Sequence, residues 1–414
     1  MYYPLINRQI IWENLHIYLF LIILLIVLTL FIYIKLKYPF WNILPVYHTY
    51  DFCRSTFYRQ PFIIYKKAIP NKFCDLLSIS TMNYHDCSDK YKKNFVNLLQ
   101  CYYIQSENTN FLFHLENLET YMDSHLSSSY ISFYEIHEYS DIDSTITNKT
   151  LGCISSRSSN LIITNSDVVF ETPIYYIDFI CMHRDAPILY TRKLLQTHIY
   201  KQQLDNDKIM GSIFKKEGSQ YSGIVPFIIS SSSIFDIPVY FHKDDLKLPE
   251  QFVFIHFHKG NINILFDFLN RTTSKFSVVC ITDQPNILKM IECNILFCYG
   301  IKQFDEIYAV YFFRDLRTQY EEVSLSGCLL QLSGSINNST SDDLFYKGFQ
   351  KSIQTIVKKM NVFKLLMIED IGSNRTLYDK IGGIPLLSIE STYYLYNIVV
   401  PCSPFYGSQS LIIL

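Results

Sequence analysis

The sequence predicts an α+β fold with a large mixed sheet, preceded by one transmembrane helix. Strand-like runs rich in Ile, Val, Tyr and Phe recur along the chain, and helical segments are interleaved with them. Many strand runs follow one another as in hairpins, which a simple doubly wound sheet would not contain. Ahead of them stands one long uncharged apolar run, which is typical of a membrane span.

The apolar run IYLFLIILLIVLTLFIYI extends from Ile17 to Ile34 without a charged residue. At ~1.5 Å per residue, a helix of this length spans roughly 27 Å, close to the thickness of the hydrocarbon core. We therefore predict a short N-terminal segment at residues 1–16 and a transmembrane helix at residues 17–36. A secretory signal is disfavoured, because its apolar region has about 7–15 residues and ends at small residues.

The charges beside the predicted helix indicate its orientation. Lys35 and Lys37 follow the apolar run Ile17–Ile34, whereas Arg8 and Glu13 precede it. Loops on the cytosolic side of a membrane carry the excess of Lys and Arg. The sequence thus predicts a single-pass membrane protein with a cytosolic body. In the opposite orientation five Asn-x-Ser/Thr sites would become glycosylation acceptors, namely Asn148, Asn270, Asn337, Asn338 and Asn374.

Composition and absent motifs exclude several function classes. The chain has 36 Lys and Arg against 38 Asp and Glu, so it lacks the basic excess that follows a phosphate backbone, and no nucleic-acid partner is predicted. Its 11 cysteines are scattered without a Cys-x-x-Cys pair, which indicates reduced thiols. His256 and His258 would lie on one strand face, but without a third nearby ligand no metal site is predicted.

Helices are predicted over Asn71–Asn83 and Tyr91–Ile104, and three strands and a helix then follow. The strand runs are YISFYEIHEY, LGCISS through NLIIT, and PIYYIDFICMH, and the helix is predicted over Leu189–Leu204. Strand, strand, strand and helix is the order that an acyl-CoA-binding, acetyltransferase-like unit shows. The sequence therefore predicts one such unit in the first half of the body.

A second set of strands and helices fills residues 251–414. Its strand runs are QFVFIHFH, FSVVCIT, IYAVYFF, CLLQL, FKLLMI, YYLYNIVV and SLIIL, and helices are predicted over Pro285–Ile291 and Asp342–Met360. We therefore predict two acetyltransferase-like halves, with boundaries at residues 37–225 and 226–414. Two such halves would bring the ends of the chain toward one central cleft.

Four stretches occur in a fixed order: YPFWNILPVYH (Tyr38–His48), a strand–strand–helix segment (Lys149–Leu195), YSGIVPFIISSSSIFDIPVYFHK (Tyr221–Lys243), and YYLYNIVVPC through Leu414. In this order they resemble the amino-terminal acyl-CoA segment, the acyl-CoA core, the peptide-cleft segment and the closing strands of the protein N-myristoyltransferase family. A shorter stretch, NYHDCSD (Asn83–Asp89), resembles the acidic loop of that family, which faces basic substrate peptides.

The resemblance implies a saddle-shaped mixed sheet, with an acyl-CoA-binding half at residues 37–225 and a peptide-binding half at residues 226–414. The implied reaction moves a myristoyl group from myristoyl-CoA to the α-amine of an N-terminal glycine in a peptide or protein. Myristoyl-CoA is the acyl donor in this reaction, and no permanently bound cofactor is implied.

The resemblance also assigns the catalytic groups. The α-carboxylate of Leu414 is the implied base: with a pKa of about 3.5 it is weak in water, but desolvation by the apolar SLIIL run would raise that pKa. The backbone N–H groups of Phe179 and Ile180 match the oxyanion-hole positions, and Ser222 matches a hydroxyl near the attacking amine. The alternatives are a terminal strand that only pairs into the sheet, two core residues and a turn serine.

Further residues match the donor and acceptor sites. The implied acyl-CoA contacts are Tyr38, Phe40, Trp41, Cys181, Met182, His183, Arg184, Ala186 and Pro187. The implied peptide contacts are Asp86, Asp89, Tyr240, Phe241 and His242. The first three aromatics could equally form an interfacial belt after a membrane helix, His242 could be a surface strand residue, and the two aspartates could be a solvated acidic loop.

The chain departs from the family at two places. Only Arg184 and Asp185 stand where the family has a longer basic loop for the CoA phosphates, and Leu387, Ser388 and Ile389 replace its Gly-Asp-Gly. An alternative function is therefore a catalytically inactive N-myristoyltransferase-like membrane protein that binds an acyl chain or a peptide. A structural membrane protein, which would bind no acyl-CoA, is the third possibility.

Overall fold

The structure is a computed structural model of the chain. It describes residues 15–51, 57–104, 106, 108–140, 145–165, 168–238, 246–322, 325–338 and 341–414. Tyr240, Phe241 and His242, three of the predicted peptide contacts, lie outside the described residues.

Helices and strands alternate along the described chain. The helices are α1 (Leu15–Lys37), α2 (Asp89–Tyr102), α3 (Leu115–Met122), α4 (Ile188–Asp205), α5 (Ile262–Thr272), α6 (Gln284–Glu292), α7 (Asp342–Met360) and α8 (Asn374–Ile381). The first nine strands are β1 (Phe62–Ile63), β2 (Ile79–Asn83), β3 (Thr109–Phe111), β4 (Tyr130–Ser140), β5 (Thr145–Asn165), β6 (Val168–Met182), β7 (Gly211–Glu217), β8 (Ile228–Asp236) and β9 (Val253–His256). The later strands are β10 (Val278–Thr282), β11 (Leu296–Gln303), β12 (Glu306–Glu322), β13 (Leu325–Asn337), β14 (Phe363–Glu369), β15 (Leu387–Tyr396), β16 (Ile398–Val399), β17 (Phe405–Tyr406) and β18 (Ser410–Ile413).

Within the described residues, 16 strands form one mixed sheet, and β1 and β16 pair separately. Its central path runs β18-β10-β5-β6-β7-β15-β8-β14-β13-β12-β11-β9. Antiparallel pairs dominate. Four pairs are parallel: β6 with β7, β13 with β14, β10 with β18 and β8 with β17. This architecture confirms the predicted α+β fold with a large mixed sheet.

Two copies of one connection pattern build the sheet. In the first, β4, β5 and β6 are antiparallel neighbours, and α4 crosses over to β7, which lies parallel to β6. In the second, β11, β12 and β13 are antiparallel, and α7 crosses over to β14, parallel to β13. The two predicted halves, each with three antiparallel strands, a crossover helix and a parallel fourth strand, are therefore present. The predicted boundary at 225/226 falls between β7 and β8, and as a domain division it stays a prediction.

Two connections join the halves. Strands β15 and β8 lie between β7 and β14, so they continue the sheet from one half into the other. On the other side, the second part of β5 pairs with β10, and β10 pairs in parallel with the C-terminal strand β18. The last described residues consequently lie inside the molecule, next to the junction of the halves.

Helix α1 comprises 23 residues, and none of its 18-residue apolar window is buried against the body. By length and composition it could cross a membrane or serve as a signal. It runs directly into the body, because Tyr38 N–H donates to Ile34 O at 2.9 Å and Asn42 Nδ2 donates to Lys35 O at 3.4 Å. The bounds of α1 extend two residues before and one residue after the predicted 17–36.

The helix predicted over Asn71–Asn83 is wrong. Residues 79–83 form strand β2, and each of them pairs with a residue of β4, from Ile79 opposite Tyr134 to Asn83 opposite Tyr130. Ladder pairing to an already formed strand outweighs helical periodicity in so short a segment. The predicted runs LGCISS and NLIIT are parts of the one long strand β5, and YYLYNIVV is divided at Asn397, which has a φ of +63°.

Candidate active site

A cavity of about 590 Å³ lies between the two halves. Its wall is built from β6, β7 and α3 of the first half, from β12, β13 and β14 of the second, and from β15 and β18. Ligand sites in proteins have volumes of roughly 300–1,000 Å³. The size and position make this cavity the candidate active site.

Three residues that the sequence predicts to be catalytic line this one cavity: Leu414, Phe179 and Ile180. Leu414 follows β18 and is 6% exposed. It is carried there because β18 lies beside β10, in register from Ser410 opposite Val278. Phe179 and Ile180 come from β6, 235 and 234 residues earlier in the chain.

A bulge in β6 sets the backbone direction at Phe179 and Ile180. Cys153 of β5 pairs with Cys181, whereas Ser155 pairs with Asp178, so β6 has one residue more than β5 over this interval. Phe179 accordingly has a φ of +50°. Bulges redirect the backbone groups of a strand, and here the redirected groups belong to the residues that line the cavity.

The ring of Phe179 is enclosed by aromatic side chains that hold this conformation. Its centroid lies 5.0 Å from that of Phe113 and 5.6 Å from those of Tyr103 and Tyr121. Left-handed backbone costs roughly 1–2 kcal/mol at a residue with a side chain, and such strain persists where the surroundings fix it. Packing of the ring thus stabilises the bulge.

The carboxylate of Asp178 is hydrogen-bonded to one of the two predicted oxyanion-hole donors. Its Oδ1 accepts a hydrogen bond from the backbone N–H of Phe179 at 2.9 Å, and its Oδ2 lies 3.4 Å from Arg157 Nη2. Arg157 is 1% exposed. Burial lowers the pKa of its guanidinium, and the attraction of Asp178 opposes that effect. The side chain that lies nearest this backbone donor is therefore itself an anion.

Two guanidinium groups lie against the ring of Tyr121. Arg157 Cζ is 5.0 Å and Arg314 Cζ is 5.3 Å from the ring centroid. Both contacts have the geometry of cation–π interactions. Arg314 and Tyr121 line the cavity, while Arg157 lies behind Tyr121, Tyr176 and Asp178.

Lys215 and Glu369 form a second charged group on the cavity wall. Lys215 Nζ lies 2.9 Å from Glu369 Oε1 and 3.8 Å from Glu217 Oε1. Burial alone would lower the pKa of Lys215, but these two carboxylates outweigh it and raise the pKa. Glu369 also accepts hydrogen bonds from Tyr393 Oη at 2.8 Å and Gln331 Nε2 at 2.9 Å. Buried charges in this group are thus paired.

Solved structures with the same architecture identify the fold. The crystal structure of Saccharomyces cerevisiae N-myristoyltransferase with bound myristoyl-CoA matches with a TM-score of 0.65 and 13% identity, over 89% of this chain and 94% of that chain. The fold is that of N-myristoyltransferase. The yeast enzyme with bound myristoyl-CoA and inhibitors matches with a TM-score of 0.65 and 14% identity, over 89% and 91% of the two chains. No family model and no curated protein sequence matches this chain.

In this N-myristoyltransferase fold, Tyr38, Phe40 and Trp41 pack against the body near the end of α1. The ring of Phe40 lies 4.9 Å from that of Phe73, and Trp41 is stacked parallel to Phe214 at 6.2 Å. Tyr38 stacks on Tyr50 at 6.0 Å. These aromatics do not line the cavity, so a role toward acyl-CoA would be played outside it.

The segment from Cys181 to Pro187 leads from β6 into α4. Cys181 and Met182 are buried, whereas Arg184 and Pro187 are exposed. Pro187 precedes the first turn of α4, which contains no acidic residue. The free N–H groups of a helix start favour an anion. His183, one of the predicted acyl-CoA contacts in this segment, lies beside the exposed Asp185, with 3.6 Å between Nδ1 and Oδ2.

Among the described residues, Ser222, Asp86 and Asp89 do not line the cavity. Ser222 is exposed in the loop after β7, Asp86 is exposed in a 3-10 turn, and Asp89 is exposed at the first position of α2. Ile389, from the stretch that replaces Gly-Asp-Gly, does line the cavity. The roles proposed for Ser222 and the two aspartates stay predictions.

Sequence reasoning missed the charged residues that line the cavity, and it also missed Arg157 behind them. The lining residues are Asp178, Lys215, Glu217, Arg314, Arg317 and Glu369. A signal was present, since Asp178 interrupts the apolar run YYIDFICMH and Arg314 ends the run YAVYFF. A charged residue within a buried strand requires a partner or a ligand. Which partner it has cannot be read from the strand alone.

Proposed function

We propose that this protein transfers a myristoyl group from myristoyl-CoA to the α-amine of an N-terminal glycine. The supporting observation is that Leu414, Phe179 and Ile180 line one cavity within an N-myristoyltransferase fold. A base and two oxyanion donors in one cavity are what acyl transfer to an amine needs.

In the proposed reaction, the α-ammonium of the glycine first gives one proton to the α-carboxylate of Leu414. The free amine attacks the thioester carbon, a C–N bond forms, and the carbonyl oxygen becomes an oxyanion that the N–H groups of Phe179 and Ile180 stabilise. The C–S bond then breaks, and the departing thiolate takes up the second ammonium proton. The products are the N-acyl peptide and free CoA thiol.

The surroundings of Leu414 suit a carboxylate base. Ile412, Ile180 and Ile177 line the same cavity, and Leu414 packs in an apolar cluster with Ile412 and Cys280. Desolvation disfavours the charged form of a carboxylate, which raises its pKa toward that of the ammonium. This role requires that Leu414 be the C-terminal residue of the mature protein, which the intact mass of the purified protein tests.

The donor would bind across the cavity and the surface beside it. The aromatic wall of Tyr103, Phe111 and Phe113 offers apolar area for an acyl chain. The CoA portion would follow Phe40 and Trp41 to the start of α4, where Arg184 and Arg192 are the nearby cations. The ring of Phe40 already carries the Arg192 guanidinium, 5.4 Å from its centroid.

The proposal places α1 across a membrane, with the body on the cytosolic side. Phe40 is 3% exposed and lies three residues beyond the end of α1, so the linker is too short to separate the body from the bilayer. An apolar acyl donor and a membrane-bound product both suit this position. Ser222, Asp86, Asp89, Tyr240, Phe241 and His242 would contact the acceptor peptide.

The experiment is acyl transfer by the full-length protein in detergent micelles. Radiolabelled myristoyl-CoA is supplied with a peptide that begins Gly-Ser, and with the same peptide carrying an acetylated amine as the matched control. We expect label on the free peptide alone, with mass spectrometry placing the myristoyl group on the glycine. Absence of transfer to both peptides would overturn the proposed reaction.

A second candidate is a binding protein without turnover. Asp178 supports it, because its carboxylate occupies the N–H of Phe179 at 2.9 Å and would repel an oxyanion. In that case the full-length protein would bind a thioether analogue of myristoyl-CoA in calorimetry and yield no acylated peptide. No binding of the analogue would exclude this candidate as well.

A further inference from the structure

Around the ring of Tyr121, the cavity wall and the residues behind it carry more positive than negative charge. Arg157 and Arg314 face the same Tyr121 ring, and Asp178 is the one carboxylate that pairs with either of them among the described residues. Nε and Nη1 of Arg157 and Nε of Arg314 are buried without a hydrogen-bond partner there. Buried polar groups without partners are rare, and each requires an explanation, of which a bound anion is one.

Arg314 is the member of the pair that can reach a ligand. It lines the cavity, and among the described residues the hydrogen-bond partner of its Nη2 is the thioether sulfur of Met290, at 3.7 Å. Thioether sulfur is a weak acceptor, so this contact leaves the guanidinium largely unsatisfied. Arg157, which lies against the same Tyr121 ring, adds to the positive charge there.

Neighbouring carboxylates are already engaged elsewhere. Asp315, next to Arg314 on β12, points to the other face of the strand and holds Arg317, at 3.3 Å from Nε and 2.8 Å from its backbone N–H. Glu369 binds Lys215, Tyr393 and Gln331. Glu217, the other glutamate on the cavity wall, lies 3.8 Å from Lys215 Nζ. An anion for Arg314 would therefore come from a molecule that enters the cavity, or from the end of the chain.

The position of Arg314 indicates which part of an acceptor would meet it. Its Cζ lies 5.3 Å from the centroid of the Tyr121 ring, and that ring lies 5.6 Å from the ring of Phe179. The guanidinium is thus within about 11 Å of Phe179, a distance that an extended peptide covers in about three residues at roughly 3.4 Å each.

We propose that Arg314, backed by Arg157, binds an acidic side chain at the second, third or fourth residue of the acceptor peptide. This inference rests on the proposed function, because it takes the glycine amine to lie beside Phe179. A guanidinium presents a planar fork of donors that matches a carboxylate. In a buried cavity the interaction gains strength from the low dielectric.

The test is peptide binding, which does not depend on turnover. Fluorescently labelled peptides of the form Gly-Asp-Ala-Ala-Ser, with the Asp moved through the second, third and fourth positions, are compared with matched Asn peptides by anisotropy. Full-length protein is used with a thioether analogue of myristoyl-CoA. We expect one Asp peptide to bind at least tenfold tighter than its Asn partner, about 1.4 kcal/mol.

Variants of the protein test whether Arg314 causes the preference for the Asp peptide. Arg314→Gln should abolish the difference between the Asp and Asn peptides, Arg314→Lys should keep part of it, and Arg375→Gln, at an exposed arginine of α8 that is 58% exposed, should leave it unchanged. Circular dichroism confirms folding of each variant, and the wild-type comparison decides even if Arg314→Gln does not fold.

Two results would overturn the inference. One is equal binding of Asp and Asn peptides by the wild-type protein at all three positions. The other is an equal loss of both affinities in Arg314→Gln, which would show that Arg314 does not distinguish an acidic side chain from a neutral one. A protein that prefers the Asp peptide but transfers no acyl group would contradict the proposed function and leave the acidic-ligand site standing.

Discussion

The Oδ1 atom of Asp178 lies 2.9 Å from the backbone nitrogen of Phe179 and accepts its hydrogen. Phe179 has a φ of +50° and belongs to a bulge on the wall of the central cavity. The donor that acyl transfer would use is thus engaged by a carboxylate, which Arg157 partly neutralises from behind. This relationship governs how strongly the cavity can stabilise an oxyanion.

Asp178→Asn should raise the rate of acyl transfer. At about 5 Å and an effective dielectric constant of about 20, a carboxylate opposes an oxyanion by roughly 3 kcal/mol. Because Arg157 offsets part of this repulsion, we expect kcat/KM to rise about tenfold. Asp379→Asn, at an exposed residue of α8, is the matched control. A fall in kcat for folded Asp178→Asn would show instead that the reaction needs the carboxylate.

At Phe179, the Gly variant should be more stable than the Ala variant, which is the reverse of the usual order. Loss of the buried ring costs about 3–5 kcal/mol in either variant, but Gly adopts positive φ freely, whereas Ala does not. Phe179→Gly should therefore unfold at a higher urea concentration than Phe179→Ala. At Phe133, fully buried in β4 with negative φ, the Ala variant should be the more stable one. The same order at both positions would contradict strain at Phe179.

His198 should make the stability of the body depend on pH. This side chain is fully buried on α4, its Nδ1 lies 2.7 Å from Ser132 Oγ, and burial lowers its pKa to about 3. In the unfolded chain the pKa is about 6.5. Between these values the unfolded state binds more protons, so stability falls as the pH falls, by roughly 2 kcal/mol from pH 7.5 to pH 5.

Urea unfolding at pH 7.5 and pH 5 measures this dependence. His198→Asn should reduce the difference between the two pH values, while His85→Asn, at an exposed histidine, should not change it. An equal pH difference in the wild type and in His198→Asn would show that other groups cause it.

The periodicity of apolar residues was sufficient to predict the fold class, because long helices and strands leave a pattern within their own segment. Helix α7 was predicted with its observed bounds, Asp342–Met360, and the two strand–helix units were predicted in order. Residues 71–83 were assigned wrongly because β2 is stabilised by pairing with β4 about 50 residues later. Such pairing leaves no signal within the segment itself.

The candidate site could be predicted only in part. Leu414, Phe179 and Ile180 were expected at one cleft, and the structure places all three on one cavity wall. The pairing of Arg157 with Asp178 joins neighbouring strands, and the approach of Arg314 to Tyr121 joins the two halves. Contacts of this kind form only in the assembled sheet. The sequence therefore contains the charged residues but does not predict which residues they contact.

The measurement that tests the central claim most directly compares two changes at the chain end. Addition of Gly-Ser-Gly after Leu414 removes the carboxylate from the cavity, whereas Leu414→Ala keeps the carboxylate and shortens only the side chain. A positioned general base contributes about 10²- to 10⁴-fold. We expect the extension to lower kcat by at least about 100-fold, and Leu414→Ala to lower it by less than about tenfold. Wild-type turnover by the extended protein would contradict a terminal carboxylate base.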